Sequence, residues 1–210
     1  MKRKALLIGA LATIGLLFAF SKPFKRVAKY LSPSTNRAIV LAADDQNASN
    51  RFPVVSGLNL LGEQFNLPED FSDLYNIVVI AYTQEHQSDV YTWLPILADI
   101  EAAYSEFRYY ELPTLPSYNP VFRAQIDGWM IAGIPDDDTR SRTITLYLDV
   151  DAFNERISVD SVQEIQVLLV SAEGEILWQE SGTFSEEKGS SLMMYLYELG
   201  VSSSDVLRDS

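Results

Sequence analysis

"VVIAYTQEHQSDVYTWLPIL", residues 78–97, is the stretch that decides the fold. An apolar strand, predicted over 76–82, passes into a short polar elbow, after which a helix begins. Because the strand is apolar on both of its faces, we expect it inside a sheet covered on both sides. Helical spacing of apolar residues predicts a helix that is capped by Gln87 or Ser88 and continues to about Phe107, with a kink at Pro95. In α/β folds such a strand-to-helix turn is a common place for chemistry.

The elements on either side of this unit indicate an α/β domain with a central mixed sheet flanked by helices. Before it, Leu58 to Pro68 is typical of two short strands around a turn at Gly62. The elements predicted after it are a strand over 108–112, a helix over 121–131, a strand over 142–148, a short helix over 152–157, a hairpin of 166–170 with 176–179, and a helix over 185–199. We therefore predict one domain over 53–200, followed by a flexible tail over 201–210.

The amino terminus carries an apolar run between basic flanks. Residues 5–20 contain Thr13 as their one polar side chain, and three basic residues precede them while four follow between Lys22 and Lys29. The run is longer than an ordinary signal-peptide core and shorter than the ~20 residues of a spanning helix. We predict an uncleaved membrane anchor within 1–30 and a linker over 31–52, with a cleaved signal peptide as the alternative. The two flanks are nearly balanced, so the side of the membrane on which the domain lies stays open.

Charge and cysteine content exclude several functions. The 210-residue chain has a net charge of −13, although residues 1–30 hold seven basic side chains and no acidic one. The acidic remainder is repelled by a phosphate backbone, so we expect no nucleic-acid binding, whereas the basic segment is attracted to anionic lipid headgroups. The sequence contains no cysteine. Thiol–disulfide and peroxidase chemistry are thus excluded within this chain, and we expect no cofactor.

The order of elements resembles the thioredoxin-like fold, in its redoxin branch, over residues 53–200. Residues 78–97 align without a gap on the strand, elbow and long helix of that family, and Pro95 falls on the helix proline. The two cysteines of the family's Cys-x-x-Cys fall on Gln87 and Val90, and its cis-proline position falls on Ile165. The resemblance therefore implies a thioredoxin-like protein without redox activity.

A narrower likeness concerns the carboxyl-terminal half. "RTITLYLDVDAFNERISV", residues 142–159, and "QVLLVSAEGEILWQESGTFSEE", residues 166–187, are similar to the Cys-less mitochondrial ATP synthase assembly factors. Ile176, Trp178, Ser181 and Gly182 carry this likeness. It implies, by analogy alone, a role in helping a membrane subunit to mature.

The elbow is the candidate functional surface. We predict that it binds a protein partner through Glu85, His86, Gln87, Asp89 and Val90. The resulting first hypothesis is a membrane-tethered, redox-inactive accessory or assembly factor. One alternative is a non-thiol enzyme that uses His86, the single histidine, with a nearby carboxylate as acid and base. Another is a structural subunit of a membrane complex.

Other chemistry-bearing residues are interpreted as structural. His86 by itself is more typical of a solvent-facing loop, and one histidine without cysteine does not complete an ordinary zinc site. The run 136–138, three aspartates, lacks the alternating ligands of a calcium loop and predicts a solvated acidic loop. Among the aromatic residues, Tyr109, Tyr110 and Tyr118 are the interface candidates, and the tryptophans are expected in the core.

Overall fold

A seven-stranded mixed sheet runs through the part of the chain that the computed structural model describes, residues 50–201. The strands are β1 (Val55–Asn59), β2 (Gln64–Leu67), β3 (Tyr75–Ala81), β4 (Phe107–Pro116), β5 (Ile144–Leu148), β6 (Gln166–Ser171) and β7 (Ile176–Ser181). Their spatial order is β2-β1-β5-β4-β3-β6-β7. The three central strands, β5, β4 and β3, are parallel, and each outer strand is antiparallel to its neighbours.

Within residues 50–201, five α-helices connect or follow the strands. They are α1 (Gln87–Ala103), α2 (Pro120–Gly133), α3 (Asp137–Arg142), α4 (Val150–Arg156) and α5 (Glu186–Glu198). The predicted central mixed sheet flanked by helices is confirmed, and the order of elements matches the prediction except for α3. Ser185 caps α5, since its side chain accepts a hydrogen bond from the Lys188 N–H at 3.2 Å.

Each face of the sheet carries its own apolar core. Ile77 and Val79 of β3 contribute to one core, which includes α1 and α5. Val78 and Ile80 contribute to the other, which includes Phe153 of α4. The strand is therefore buried on both faces, as its sequence predicts.

The bounds of α1 differ from the prediction at both ends. The helix ends at Ala103, because Tyr104 has extended backbone angles and is buried, and Phe107 already begins β4. At its other end the cap residue is His86, which makes no capping hydrogen bond through its side chain. The predicted caps, Gln87 and Ser88, are instead the first two residues of the helix.

The predicted acidic loop at 136–138 is wrong, because these residues begin α3. The Asp136 carboxylate accepts hydrogen bonds from the Thr139 N–H at 2.8 Å and from its hydroxyl at 2.7 Å. Asp137 forms an ion pair with Arg140, and Asp138 with Arg142. Arg142 is the last residue of α3, so the following strand begins at Ile144, two residues later than predicted.

The described chain enters the domain beside the β6–β7 turn. Arg51 forms a β-bridge with Glu175, and the Phe52 N–H donates to the Gly174 carbonyl at 2.8 Å. This turn follows Ser171, which pairs with Tyr75 at the start of β3. The elbow follows the end of β3, so the chain enters at the opposite end of the sheet.

Within residues 50–201, no helix combines the length and the apolar content needed to cross a bilayer. The predicted anchor, most of the predicted linker and the tail beyond 201 lie outside the described residues.

Candidate functional site

His86 fastens the elbow to the end of β3. A 3-10 turn, Gln84–His86, separates the strand from α1. The His86 Nδ1 accepts the Tyr82 N–H at 3.2 Å, and the two rings meet edge to face. The Tyr82 hydroxyl in turn donates to Asn154 Oδ1 at 2.8 Å. His86 is buried, so the prediction of a solvent-facing loop residue is wrong: its ring satisfies a backbone N–H that the turn leaves without a sheet partner.

The two carboxylates next to His86 do not form an acid–base pair with it. Glu85 is fully exposed, and hydrogen bonds from its own N–H and from the Thr83 side chain hold its pKa below the ordinary value. Asp89 is half-buried in the first turn of α1, where the helix dipole favours its negative charge. Among the described residues, no hydrogen bond joins His86 to either carboxylate.

Gln87 and Val90 stand where the thioredoxin-like resemblance has its two cysteines, and both take part in the internal contacts of the domain. Gln87 is half-buried, and its side chain hydrogen-bonds the carboxyl group of Glu111. Val90 is 1% exposed and lies in the same core as Trp93 and Ile165. The Trp93 indole N–H donates to the Gly182 carbonyl at 2.9 Å, which ties α1 to the end of β7. Beneath the elbow the protein is therefore closely packed.

Glu111 is a buried carboxyl group that sequence analysis missed. It lies in the middle of β4 opposite Val79 and is 6% exposed. Burial raises its pKa, while the hydrogen bond from Gln87 and the charge of Arg142 act in the opposite direction. The side chains of the predicted strand 108–112 alternate between its two faces. This alternation already puts Glu111 on the same face as Tyr109.

Arg142 joins α3 to α1 and β4. Its Nη1 lies 2.9 Å from both carboxylate oxygens of Glu101, and its Nη2 donates to Asp138 at 2.8 Å. The guanidinium also stacks over the ring of Tyr109, at 4.3 Å from the centroid. Arg142 is buried and its Nε has no partner among the described contacts. We interpret this group as a structural junction, because its guanidinium contacts side chains of α1 and β4 as well as Asp138 of its own helix.

Solvent reaches the elbow on its outer side. Gln84, Glu85 and Ser88 are exposed, and Tyr91 follows one turn along the helix with 61% of its surface exposed. Sequence analysis missed Tyr91, although its position outside the apolar stripe of α1 marks it as an aromatic residue facing solvent.

The aromatic interface candidates are placed differently from the prediction. Tyr110 is 2% exposed, and its hydroxyl lies 2.9 Å from that of Ser72, so it belongs to the core. Tyr109 is half-buried beneath Arg142. Tyr118 is half-buried against Phe122, and Trp129, expected in the core, is 62% exposed.

No group of three or more His, Asp or Glu side chains within residues 50–201 is arranged to hold a metal ion. The three aspartates of 136–138 provide the cap and ion pairs of α3.

Comparison with known proteins rests on structure. No protein-family model matches the chain, and no curated protein sequence matches it. Among solved structures, a thiol:disulfide interchange protein from Bacteroides sp. is 16% identical with a TM-score of 0.50, covering 71% of this chain and 90% of its own. A protein from Aquifex aeolicus VF5, provisionally described as an electron transfer protein, is 11% identical with a TM-score of 0.51, covering 70% and 96%.

These similarities are too low in identity to transfer an activity, but they extend over most of the described chain and over nearly all of each neighbour. The sequence of this chain has no cysteine, and Gln87 and Val90 stand where the resemblance expects the dithiol. The chain therefore has the thioredoxin-like fold of thiol:disulfide oxidoreductases without the thiols on which their chemistry depends.

Proposed function

We propose that this chain is a redox-inactive protein-binding factor, tethered to a membrane, that serves as an accessory or assembly factor. The observation that carries the proposal is the contrast between the two sides of the elbow. Its inner side is filled by Gln87 and Val90, which the fold uses for packing and hydrogen bonding. Its outer side presents polar residues and the aromatic ring of Tyr91 to solvent.

The proposed contact surface consists of Gln84, Glu85, Ser88, Asp89 and Tyr91, and is called the elbow surface below. An exposed aromatic ring with few rotatable bonds supplies contact area at low entropic cost, which is why tyrosine is frequent at interfaces. The exposed carboxylate of Glu85 and the half-buried one of Asp89 favour a partner with basic groups at the rim.

Three of the residues predicted to bind the partner have a different role in this proposal. His86 and Val90 are buried, and Gln87 is half-buried and hydrogen-bonded to Glu111. These three residues stabilise the turn through internal contacts, whereas Glu85 and Asp89 remain available to a partner. The recognition site is thus the outer part of the predicted elbow together with Tyr91.

The membrane tether is part of the proposal and rests on the sequence. The apolar run 5–20 between basic flanks supports attachment, and its lysines and arginines favour an anionic membrane surface. The likeness of 142–159 and 166–187 to the Cys-less ATP synthase assembly factors supports a membrane protein subunit as the class of partner.

Photo-crosslinking in cells of the source organism tests the elbow surface. A photoreactive phenylalanine analogue is placed at Tyr91 in the full chain, and the matched control carries it at Tyr197. Tyr197 is 74% exposed and lies near the carboxyl end of α5, away from the elbow. We expect a discrete protein adduct from position 91 that is absent from position 197, and that weakens when Glu85 is changed to lysine.

Equal adducts from both positions, or none from position 91, would contradict the elbow surface. The redox part is tested separately by insulin reduction with the purified full chain. We expect no turnover above the uncatalysed rate, and measurable turnover would overturn that part of the proposal.

A further inference from the structure

Helix α2 exposes part of its apolar surface to solvent and presents polar as well as apolar side chains to the sheet. A surface helix ordinarily buries its apolar stripe, yet α2 has no buried residue. Val121 and Trp129 on its outer side are 82% and 62% exposed. Arg123 and Asp127, four residues apart on the opposite side, face β1 and β5 across a cleft. Apolar side chains, such as the half-buried Ile126 and Met130, therefore cover only a part of the sheet-facing side of α2.

The space between α2 and the sheet is a cleft of about 450 Å³. Leu58 of β1 and Thr145 and Tyr147 of β5 line it from the sheet, while Arg123, Asp127 and Ile131 line it from the helix. This volume lies within the range of sites that hold small molecules, and the lining combines a few placed polar groups with aliphatic side chains, as such sites do.

The polar groups of the cleft are fixed by contacts to one another. The Tyr147 hydroxyl donates to Asp127 Oδ1 at 2.8 Å, and the Arg123 guanidinium lies 5.0 Å from the centroid of the Tyr147 ring. Arg123 Nε donates to the Tyr118 carbonyl at 2.6 Å. Among the described contacts, the terminal nitrogens of Arg123 have no hydrogen bond or ion pair. The Arg123 guanidinium is therefore fixed in position, while its two terminal nitrogens remain available as hydrogen-bond donors.

Thr145 supplies an independent observation at the same place. It lines the cleft, it is 4% exposed, and its hydroxyl oxygen is buried without a hydrogen-bond partner. A buried hydroxyl of this kind costs folding free energy unless something pairs with it. The side chain belongs to the face of β5 that lies opposite its apolar residues, so the hydroxyl is on the side covered by α2.

We propose that this cleft binds a small apolar molecule that ends in a carboxylate and carries an N–H donor beside it. The terminal nitrogens of Arg123 match a carboxylate in a two-bond arrangement. The second oxygen of Asp127 accepts the N–H. Leu58 and Ile131, which are 49% and 37% exposed, cover the apolar body of the ligand.

Two sources share this chemistry, a free apolar amino acid and the carboxyl-terminal residue of a peptide. The proposal is independent of the elbow surface, because no elbow residue lines the cleft. A failure of one proposal therefore leaves the other standing.

Saturation-transfer difference NMR on the full chain, in deuterated detergent, tests the proposal. The probes are leucine, N-acetylglycyl-leucine and leucinamide, the last of which lacks the carboxylate. We expect saturation of the leucine methyl groups in at least one of the two carboxylate probes, and binding at least about ten-fold weaker for leucinamide. Preference for leucine identifies a free amino acid, and preference for the dipeptide identifies a peptide terminus.

Arg123→Gln is expected to weaken binding of the favoured probe about ten-fold. Arg156→Gln is the matched control, since Arg156 is exposed on α4 and does not line the cleft. If Arg123→Gln lowers the melting temperature so far that the variant is unfolded, the comparison of leucine with leucinamide on the unchanged chain still decides. No saturation from either carboxylate probe, or equal binding of leucinamide, overturns the proposal.

Discussion

The side chain of Gln87, the first residue of α1, hydrogen-bonds the buried carboxyl group of Glu111 in the middle of β4. In the thioredoxin-like resemblance, Gln87 stands at the position of the first redox cysteine. A group that in an oxidoreductase would face a substrate disulfide is here turned inward to satisfy an acid beneath the helix. The inner side of the elbow has therefore become a part of the folded core.

Glu111→Gln is expected to make the protein more stable relative to wild type as pH rises. Burial raises the pKa of Glu111 above its ordinary value of 4.5, so the folded state holds this proton more tightly than the unfolded chain does. Raising the pH from 4.5 through the raised pKa therefore lowers the free energy of unfolding of the wild type. The neutral amide of the variant does not ionise and escapes this loss.

Urea denaturation between pH 4 and pH 8, followed by circular dichroism, measures the difference. The advantage of Glu111→Gln over wild type should be smallest at pH 4 and should grow through the acid range. Glu155→Gln, at an exposed position on α4, is the control and should follow the wild-type pH dependence. Parallel curves for wild type and Glu111→Gln would show that Glu111 is ionised to the same extent in both states.

Trp93→Phe is expected to lower the free energy of unfolding by about 2 kcal/mol. The substitution removes the indole N–H that donates to the Gly182 carbonyl, and it leaves unfilled volume at a fully buried position. Trp129→Phe, at a position 62% exposed, should change stability by less than about 0.5 kcal/mol. Equal effects in urea denaturation would contradict the contrast between these two tryptophans.

Gly57→Ala and Gly128→Ala are expected to have opposite effects on stability. A Cβ at Gly57 would lie 2.5 Å from the Thr145 carbonyl oxygen, so β1 and β5 must move apart, at a cost of about 1–3 kcal/mol. At Gly128, inside α2, a Cβ meets nothing within 4 Å, and alanine should stabilise the helix by about 0.5–1 kcal/mol. Thermal unfolding of the two variants gives the signs, and a stable Gly57→Ala would mean that the two strands are farther apart.

Arg142→Met is expected to destabilise the protein by about 2 kcal/mol. Methionine keeps much of the buried length, but Glu101 loses the cation that faces both of its carboxylate oxygens. The cost stays below the 3–5 kcal/mol of a fully buried pair, because solvent reaches the Asp138 side chain. Asp137→Asn, which breaks the exposed pair with Arg140, should cost less than about 0.5 kcal/mol in the same denaturation assay.

The sheet and its main helices could be predicted because their apolar residues follow the periods of strands and helices. The strand β3 and the hairpin of β6 with β7 are examples. Helix α3 could not be predicted in this way, since its sequence, DDTRSR, has no apolar residue. It forms through the Asp136 cap and through ion pairs whose partners include the distant Glu101.

The turn that forms the elbow was predicted in position, but the burial of its residues was not. The elbow lies where the sequence indicates, yet the burial of His86 depends on a backbone N–H, that of Tyr82, and side-chain patterns do not register backbone donors. Strand β4 also runs farther than predicted, through Pro113. Its partner strand β3 ends at Ala81, directly opposite Pro113, so the missing N–H costs the sheet little there.

The bridge between Arg51 and Glu175 fixes the end of the sheet at which the described chain begins. The chain arrives at the end of the sheet where β3 starts, and the elbow lies at the far end of that strand, beyond seven residues or about 23 Å. Tyr91 therefore lies near the end of the sheet opposite to the one at which Arg51 is placed. A partner that binds the elbow surface therefore contacts the domain at the end of the sheet remote from Arg51.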